Sequence, residues 1–167
     1  LQSGSWVYHF KTKQDILAAV MEEGLQQALE RIEAIGREQL SPREQFRALL
    51  RTHLDTLLGP GQDFIPVLLY DWRSLEPAGR RRVVALQKRY ERAWDEVIGR
   101  LQRSGEWAMP TRVDRLLMFG ALNWIAQWFR PGGSLDVAGL ADEAERFCLR
   151  TPQKRPAVAR RRRKARS

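Results

Sequence analysis

From Thr12 onward, apolar residues return every three or four positions, and that period restricts the chain to helices. Ile16, Leu17, Val20, Met21, Leu25, Leu29 and Ile32 fall on one face when wound at 3.6 residues per turn. Phe46, Leu49, Leu50, Leu54 and Leu57 repeat the pattern, as do Val83, Tyr90, Trp94, Val97, Ile98 and Leu101. No stretch alternates apolar and polar residues for long enough to argue for a strand, so the chain is predicted to be all-α.

Local signals divide this pattern. A helix is predicted from about Thr12, which can cap it, to Gln39. At 1.5 Å per residue it spans roughly 40 Å. Ser41-Pro42-Arg43-Glu44 is a capping box with proline at the first helical position, and Gly59-Pro60-Gly61 ends the helix it starts. A short bulky helix is expected from Phe64 to Leu75, and a long one from Pro77 to about Ser104. The next, from the cap signal at Thr111 to Arg130, is apolar around most of its circumference and should be buried on more than one side. Pro131-Gly132-Gly133 stops it, and Ser134 is the expected cap of a last helix.

Charge is unevenly placed. The net charge is +9, yet eight basic residues and no acid lie between Pro152 and Ser167, while the body carries 21 basic and 20 acidic residues. The body is nearly neutral and the end is a basic arm. Such a run reads as a solvated tail or as a sequence-blind, salt-sensitive attraction for phosphates. Arg80, Arg81 and Arg82 crowd a helix start, where the helix dipole disfavours cations; they are either solvated or hold an anion. One cysteine excludes an intramolecular disulfide framework and fits a reducing, cytoplasmic setting. No apolar run is long enough to cross a membrane.

The sequence offers no catalytic constellation. Two histidines and one cysteine are too few and too scattered for a zinc site, and neither a phosphate-cradling glycine loop nor a nucleophile elbow is present. No cofactor or metal is implied. His53, beside an apolar face, reads as a satisfied interior or boundary residue, and Cys148 as a small core or interface residue.

At the start of the chain, Ser5-Trp6-Val7-Tyr8-His9-Phe10-Lys11-Thr12-Lys13-Gln14-Asp15-Ile16-Leu17 resembles a signature of the tetracycline-repressor (TetR) family of bacterial transcription regulators. In that family a helix-turn-helix ends in a Tyr-x-His-Phe-type element followed by a lysine that opens the next helix. His9, Phe10, Lys13 and Leu17 match; Val7 departs from it, standing where the family usually carries a phosphate-touching tyrosine. The resemblance implies that residues 1–13 are the end of a DNA-binding domain, with two further helices expected upstream of Leu1. It implies that 14–151 is a ligand-binding and dimerisation domain, and 152–167 is left as a basic disordered tail. Gln2, Ser3, Gly4, Tyr8, His9 and Lys13 are then the expected contacts to double-stranded operator DNA. The alternative for Leu1 to Tyr8 is a frayed peptide.

Phe64, Leu68, Tyr70, Trp72, Tyr90, Trp94, Phe119, Trp124 and Trp128 form either an ordinary aromatic core or the wall of a small-ligand pocket, with Arg73 and Asn123 as polar anchors. Leu68-Leu69-Tyr70-Asp71-Trp72-Arg73, Asn123-Trp124 and Trp128 to Gly133 also resemble the TetR branch that controls fatty-acid and sterol breakdown, where acyl-CoA thioesters act as effectors. Such a ligand needs cations at the pocket mouth, and Arg80 to Arg82, Arg89 or Arg130 could supply them. The last two helices carry Leu117, Ala121, Ile125, Val137, Leu140, Ala141, Ala144, Phe147 and Cys148, which suit a four-helix bundle with a second copy or packing within one chain. Together these features predict a TetR-like, DNA-binding homodimeric repressor released by a small hydrophobic ligand. The competing class is an all-α protein–protein interaction module with a basic tail.

Overall fold

The computed structural model describes residues 12–59, 72–107 and 112–149, with the backbone alone at Arg112 and Asp114. Five helices account for most of this: α1 Lys13–Arg37, α2 Pro42–Leu58, α3 Pro77–Ser104, α4 Arg112–Trp128 and α5 Val137–Cys148. A single 3₁₀ turn, Trp72–Ser74, precedes α3. The described residues contain no strand, as the hydrophobic period requires.

Short-range chemistry sets most of the boundaries. Asp15 N–H donates to Thr12 Oγ1 at 3.1 Å while Thr12 N–H donates to Asp15 Oδ2 at 3.0 Å, a reciprocal cap that starts α1. Ser41 and Glu44 do the same for α2, with Pro42 in its first turn. Helix α3 ends at Gly105, whose φ of 76° suits glycine, and Glu106 N–H reaches back to Leu101 O at 3.0 Å. The cap of α5 is Asp136 rather than the expected Ser134: Gly139 N–H donates to Asp136 Oδ1 at 2.7 Å. The helix expected over 64–75 falls largely outside the described residues, and its end is the 3₁₀ turn.

Helix α2 is the hub, packing against α1, α3, α4 and α5, while α1 and α3 share the most extensive contact. At one end of that contact α1 and α3 nearly touch. A Cβ on Gly79 of α3 would lie 2.9 Å from Ala18 Cβ, so only glycine permits the crossing there. Farther along, Arg82 Nε meets Glu22 Oε1 at 2.8 Å and Arg89 meets Glu33 at 2.9 Å.

The main core is aromatic at its centre. Phe46 is fully buried, with its ring edge-on to Trp94 at 5.9 Å and to Trp107 at 5.4 Å. A smaller cluster of Ala18, Met21, Leu25, Leu75 and Val83 seals the α1–α3 contact near the Gly79–Ala18 approach. Helix α5 is held by an ion cluster: Glu145, 2% exposed, receives Arg43 Nε at 2.7 Å and Arg47 Nε at 2.6 Å from α2. Both arginines are half exposed, so only one member of the cluster is fully dehydrated. Truncating Phe46 to alanine removes the ring at the meeting point of α2, α3 and Trp107. It is expected to lower unfolding free energy by about 3–5 kcal/mol, read as a drop in the urea midpoint with an unchanged slope.

Candidate functional site

A cavity of about 340 Å³ lies between four helices. Helix α1 contributes Gly24, Leu25 and Ala28; α2 contributes His53, Thr56 and Leu57; α3 contributes Gln87, Tyr90 and Glu91; α4 contributes Leu116, Phe119, Gly120 and Asn123, and Trp72 completes the wall. Leu116, Gln87 and Gly120 are exposed, so the cavity opens along the α3–α4 side. Its walls are mainly apolar, with a few convergent polar groups, which is how small-molecule sites are built.

The polar groups form a chain. His53 Nδ1 lies 2.9 Å from the Tyr90 hydroxyl, and His53 Nε2 lies 3.1 Å from Asn123 Oδ1. The amide oxygen can only accept, so Nε2–H donates to it, and Nδ1 then accepts from the Tyr90 O–H. That pattern uses a neutral imidazole. Burial works in the same direction, lowering the His53 pKa to about 4 against the opposing pull of the Asn123 bond. Burial likewise holds the Tyr90 phenol well above its ordinary value. The rings of Phe119 and Trp94 stand edge-on to the imidazole at 5.8 and 5.9 Å. Thr56 donates its hydroxyl to Thr52 O at 2.7 Å and is already satisfied.

Glu91, the one charged side chain among the described residues of the wall, is paired: Arg115 Nη1 meets Glu91 Oε2 at 3.1 Å, and Arg115 Nε meets Asp95 Oδ1 at 3.0 Å. Arg115 is buried, so this pair is a fixed link between α3 and α4 rather than a surface contact.

The expected pocket residues divide into three groups. Trp72, Tyr90, Phe119 and Asn123 line the cavity. Trp94 does not; it is fully buried one layer behind, against Phe119 at 5.3 Å. Trp124 and Trp128, 62% and 49% exposed, lie on the outer side of α4 and not in the cavity. Arg73 sits over the Trp72 ring at 5.3 Å, outside the wall. Phe64, Leu68 and Tyr70 lie outside the described residues. None of the arginines expected at the mouth lines the cavity: Arg82 is paired with Glu22, Arg89 with Glu33, and exposed Arg130 donates to Phe129 O. Arg80 and Arg81 are exposed on the first turn of α3.

The face expected to meet a second copy is also divided. Ile125, Leu140, Ala141, Ala144 and Cys148 are buried in the chain's own core, with Val137 packed at its margin. Leu117, Ala121 and Phe147 face outward and are joined by Val113, Leu116, Trp124 and Trp128. Burial raises the Cys148 thiol to about 12, which keeps it protonated and unreactive. Of the expected DNA contacts, Lys13 is exposed in the first turn of α1; Gln2, Ser3, Gly4, Tyr8 and His9 lie outside the described residues.

His53, Thr56, Gln87 and Glu91 also line the cavity, beyond the residues the sequence points to. His53 carried the one usable signal, a polar ring beside an otherwise apolar helix face.

Among the described residues, α1 to α4 and Trp72 together enclose a largely apolar cavity within an all-helical fold. Residues 39–151 match the family model "Tetracyclin repressor-like, C-terminal domain". The chain belongs to the TetR family of transcriptional regulators. A solved relative, the superantigen PfiT, is 38% identical, with a TM-score of 0.76 over 90% of this chain and 80% of that one. AibR, solved with isovaleryl coenzyme A and operator DNA, superposes with a TM-score of 0.73 at 22% identity, over 84% of this chain and 77% of its own. The fatty acid metabolism regulator protein of Bacillus subtilis (strain 168) is 23% identical over 142 residues, 83% of this chain and 73% of that protein. Among the described residues no helix is long and apolar enough to cross a membrane.

The neutral imidazole gives a pH test. Its folded pKa, about 4, lies below the ordinary 6.5, so the unfolded chain binds the extra proton first. The stability of the neutral ring is complete above about pH 6.5 and is lost as pH falls toward 4. The loss is on the order of 2 kcal/mol. Unfolding free energy should therefore fall more steeply from pH 7 to pH 4.5 in the wild type than in His53→Gln, measured by urea titration at each pH.

Proposed function

We propose that this regulator is a repressor that leaves its operator when a small hydrophobic ligand of the acyl thioester class fills the cavity. The observation that carries the reading is the cavity itself: about 340 Å³ of mainly apolar wall with a Tyr90–His53–Asn123 chain exposed to it. The similarity to AibR, solved with an acyl-CoA and operator DNA, and to a fatty acid metabolism regulator supports the ligand class.

The mechanism is a shift between two dimer states. Residues 1–13, with Lys13 at the start of α1, form the DNA-reading end, and Gln2, Ser3, Gly4, Tyr8 and His9 are the remaining contacts. Residues 14–151 form the sensing and dimerising unit, and the outward residues Leu117, Ala121, Trp124, Trp128 and Phe147 meet a second copy. The tail from 152 to 167 adds attraction for phosphates that weakens as salt rises. Two reading heads related by a two-fold axis fit half-sites about one DNA turn apart, or a multiple of it. A ligand that binds the wider or narrower spacing better drives release by its differential affinity alone.

A second reading, an interaction module without an operator, has two observations in its favour: the apolar outer face of α4, and 38% identity to a protein described as a superantigen.

Fluorescence anisotropy on DNA from upstream of the gene separates the two. The repressor reading expects tight, sequence-selective binding that acyl-CoA thioesters weaken by at least about tenfold. Sequence-blind binding that disappears when residues 152–167 are removed contradicts it and favours the interaction module.

A further inference from the structure

The chemistry of the ligand's head group follows from the charges that the cavity holds, and this inference rests on the ligand-responsive reading above. The described wall contains one carboxylate, Glu91, already paired with Arg115, and no lysine or arginine. The imidazole of His53 uses both nitrogens in bonds that keep it uncharged. A free carboxylate entering this space loses hydration, meets no cation among the described wall residues and lies near another carboxylate, a combination that strongly disfavours burial of the charged form.

A neutral carbonyl meets different surroundings. The bond from His53 occupies the amide oxygen of Asn123 and fixes the orientation of the amide plane. The Asn123 nitrogen carries two N–H donors, and the residue lies in the cavity wall. A ligand carbonyl needs one such donor, while Leu25, Leu57 and Phe119 surround its apolar part. We propose that the cavity selects uncharged acyl compounds, thioester, ester or amide, over the corresponding free acid, and that the Asn123 amide is the group that reads the carbonyl.

The test compares methyl octanoate, octanoate and octanoyl-CoA by isothermal titration against the full chain at neutral pH. Methyl octanoate and octanoate share an apolar chain and a carbonyl and differ in charge. Methyl octanoate should bind at least about tenfold more tightly than octanoate. Asn123→Leu should weaken methyl octanoate by about tenfold, with helicity by circular dichroism unchanged. Gln87→Lys, on the exposed rim of the cavity, should raise the affinity for octanoate relative to that for methyl octanoate. Equal affinity for acid and ester, or an Asn123→Leu variant that keeps its affinity for the ester, overturns the inference and leaves the cavity reading standing. Silence toward methyl octanoate while octanoyl-CoA binds also overturns it, because the coenzyme then supplies the recognition. Silence toward all three removes the ligand-responsive reading itself.

Discussion

The imidazole of His53 joins three helices at the floor of the cavity, and the arrangement around it depends on that ring staying uncharged. From α2 it accepts from Tyr90 of α3 and donates to Asn123 of α4. A neutral ring satisfies both partners while presenting no charge to an apolar space. A protonated ring would turn Nδ1 into a donor, displace the Tyr90 proton and place a cation among Phe119 and Trp94. The second link to α4, from Arg115 to Glu91 and Asp95, is ionic but lies at the cavity's side rather than its floor. Helix α4 is thus held on one side by these directed bonds, the Phe119 ring and the core residues Met118, Leu122 and Ile125, while its other side carries exposed apolar residues.

That attachment matters because the cavity also touches α1. Gly24, Leu25 and Ala28 line it, and Lys13 stands at the N-terminal end of the same helix, about 17 Å away at 1.5 Å per residue. Helix α1 is in turn locked to α3 by the Gly79–Ala18 approach and the Arg82–Glu22 pair. In the proposed mechanism, a molecule wedged between α1, α3 and α4 would bear on the helix whose far end carries the candidate DNA contact. Packed interiors respond to such a push by moving elements as units, since close-packed side chains have little slack.

Much of this was legible in the sequence where the cause is local. The caps at Thr12 and Ser41, the end of α3 near Ser104 and the all-α class follow from residues within a few positions of one another. The misplaced cap of α5 is a near miss of the same kind: Ser134 and Asp136 both cap helices, and spacing alone does not choose between them. What sequence could not supply was sidedness. Helix α4 is apolar nearly all round, so its period did not separate Phe119 and Asn123, which line the cavity, from Trp124 and Trp128, which face outward. The same ambiguity grouped Ile125, Leu140, Ala141, Ala144 and Cys148 with an interface when the chain uses them for its own core. His53 was read as a satisfied residue, and it is one; its partners lie 37 and 70 residues away, beyond the reach of any local pattern.

The most direct measurement is the ¹⁵N spectrum of the imidazole of His53, with His9→Gln removing the other histidine signal. A neutral ring protonated at Nε2 is expected from pH 8 down to about pH 5, consistent with a pKa of about 4. An imidazolium that titrates near the ordinary 6.5 would contradict it, because neither the hydrogen-bonded chain nor the uncharged cavity could then exist as described.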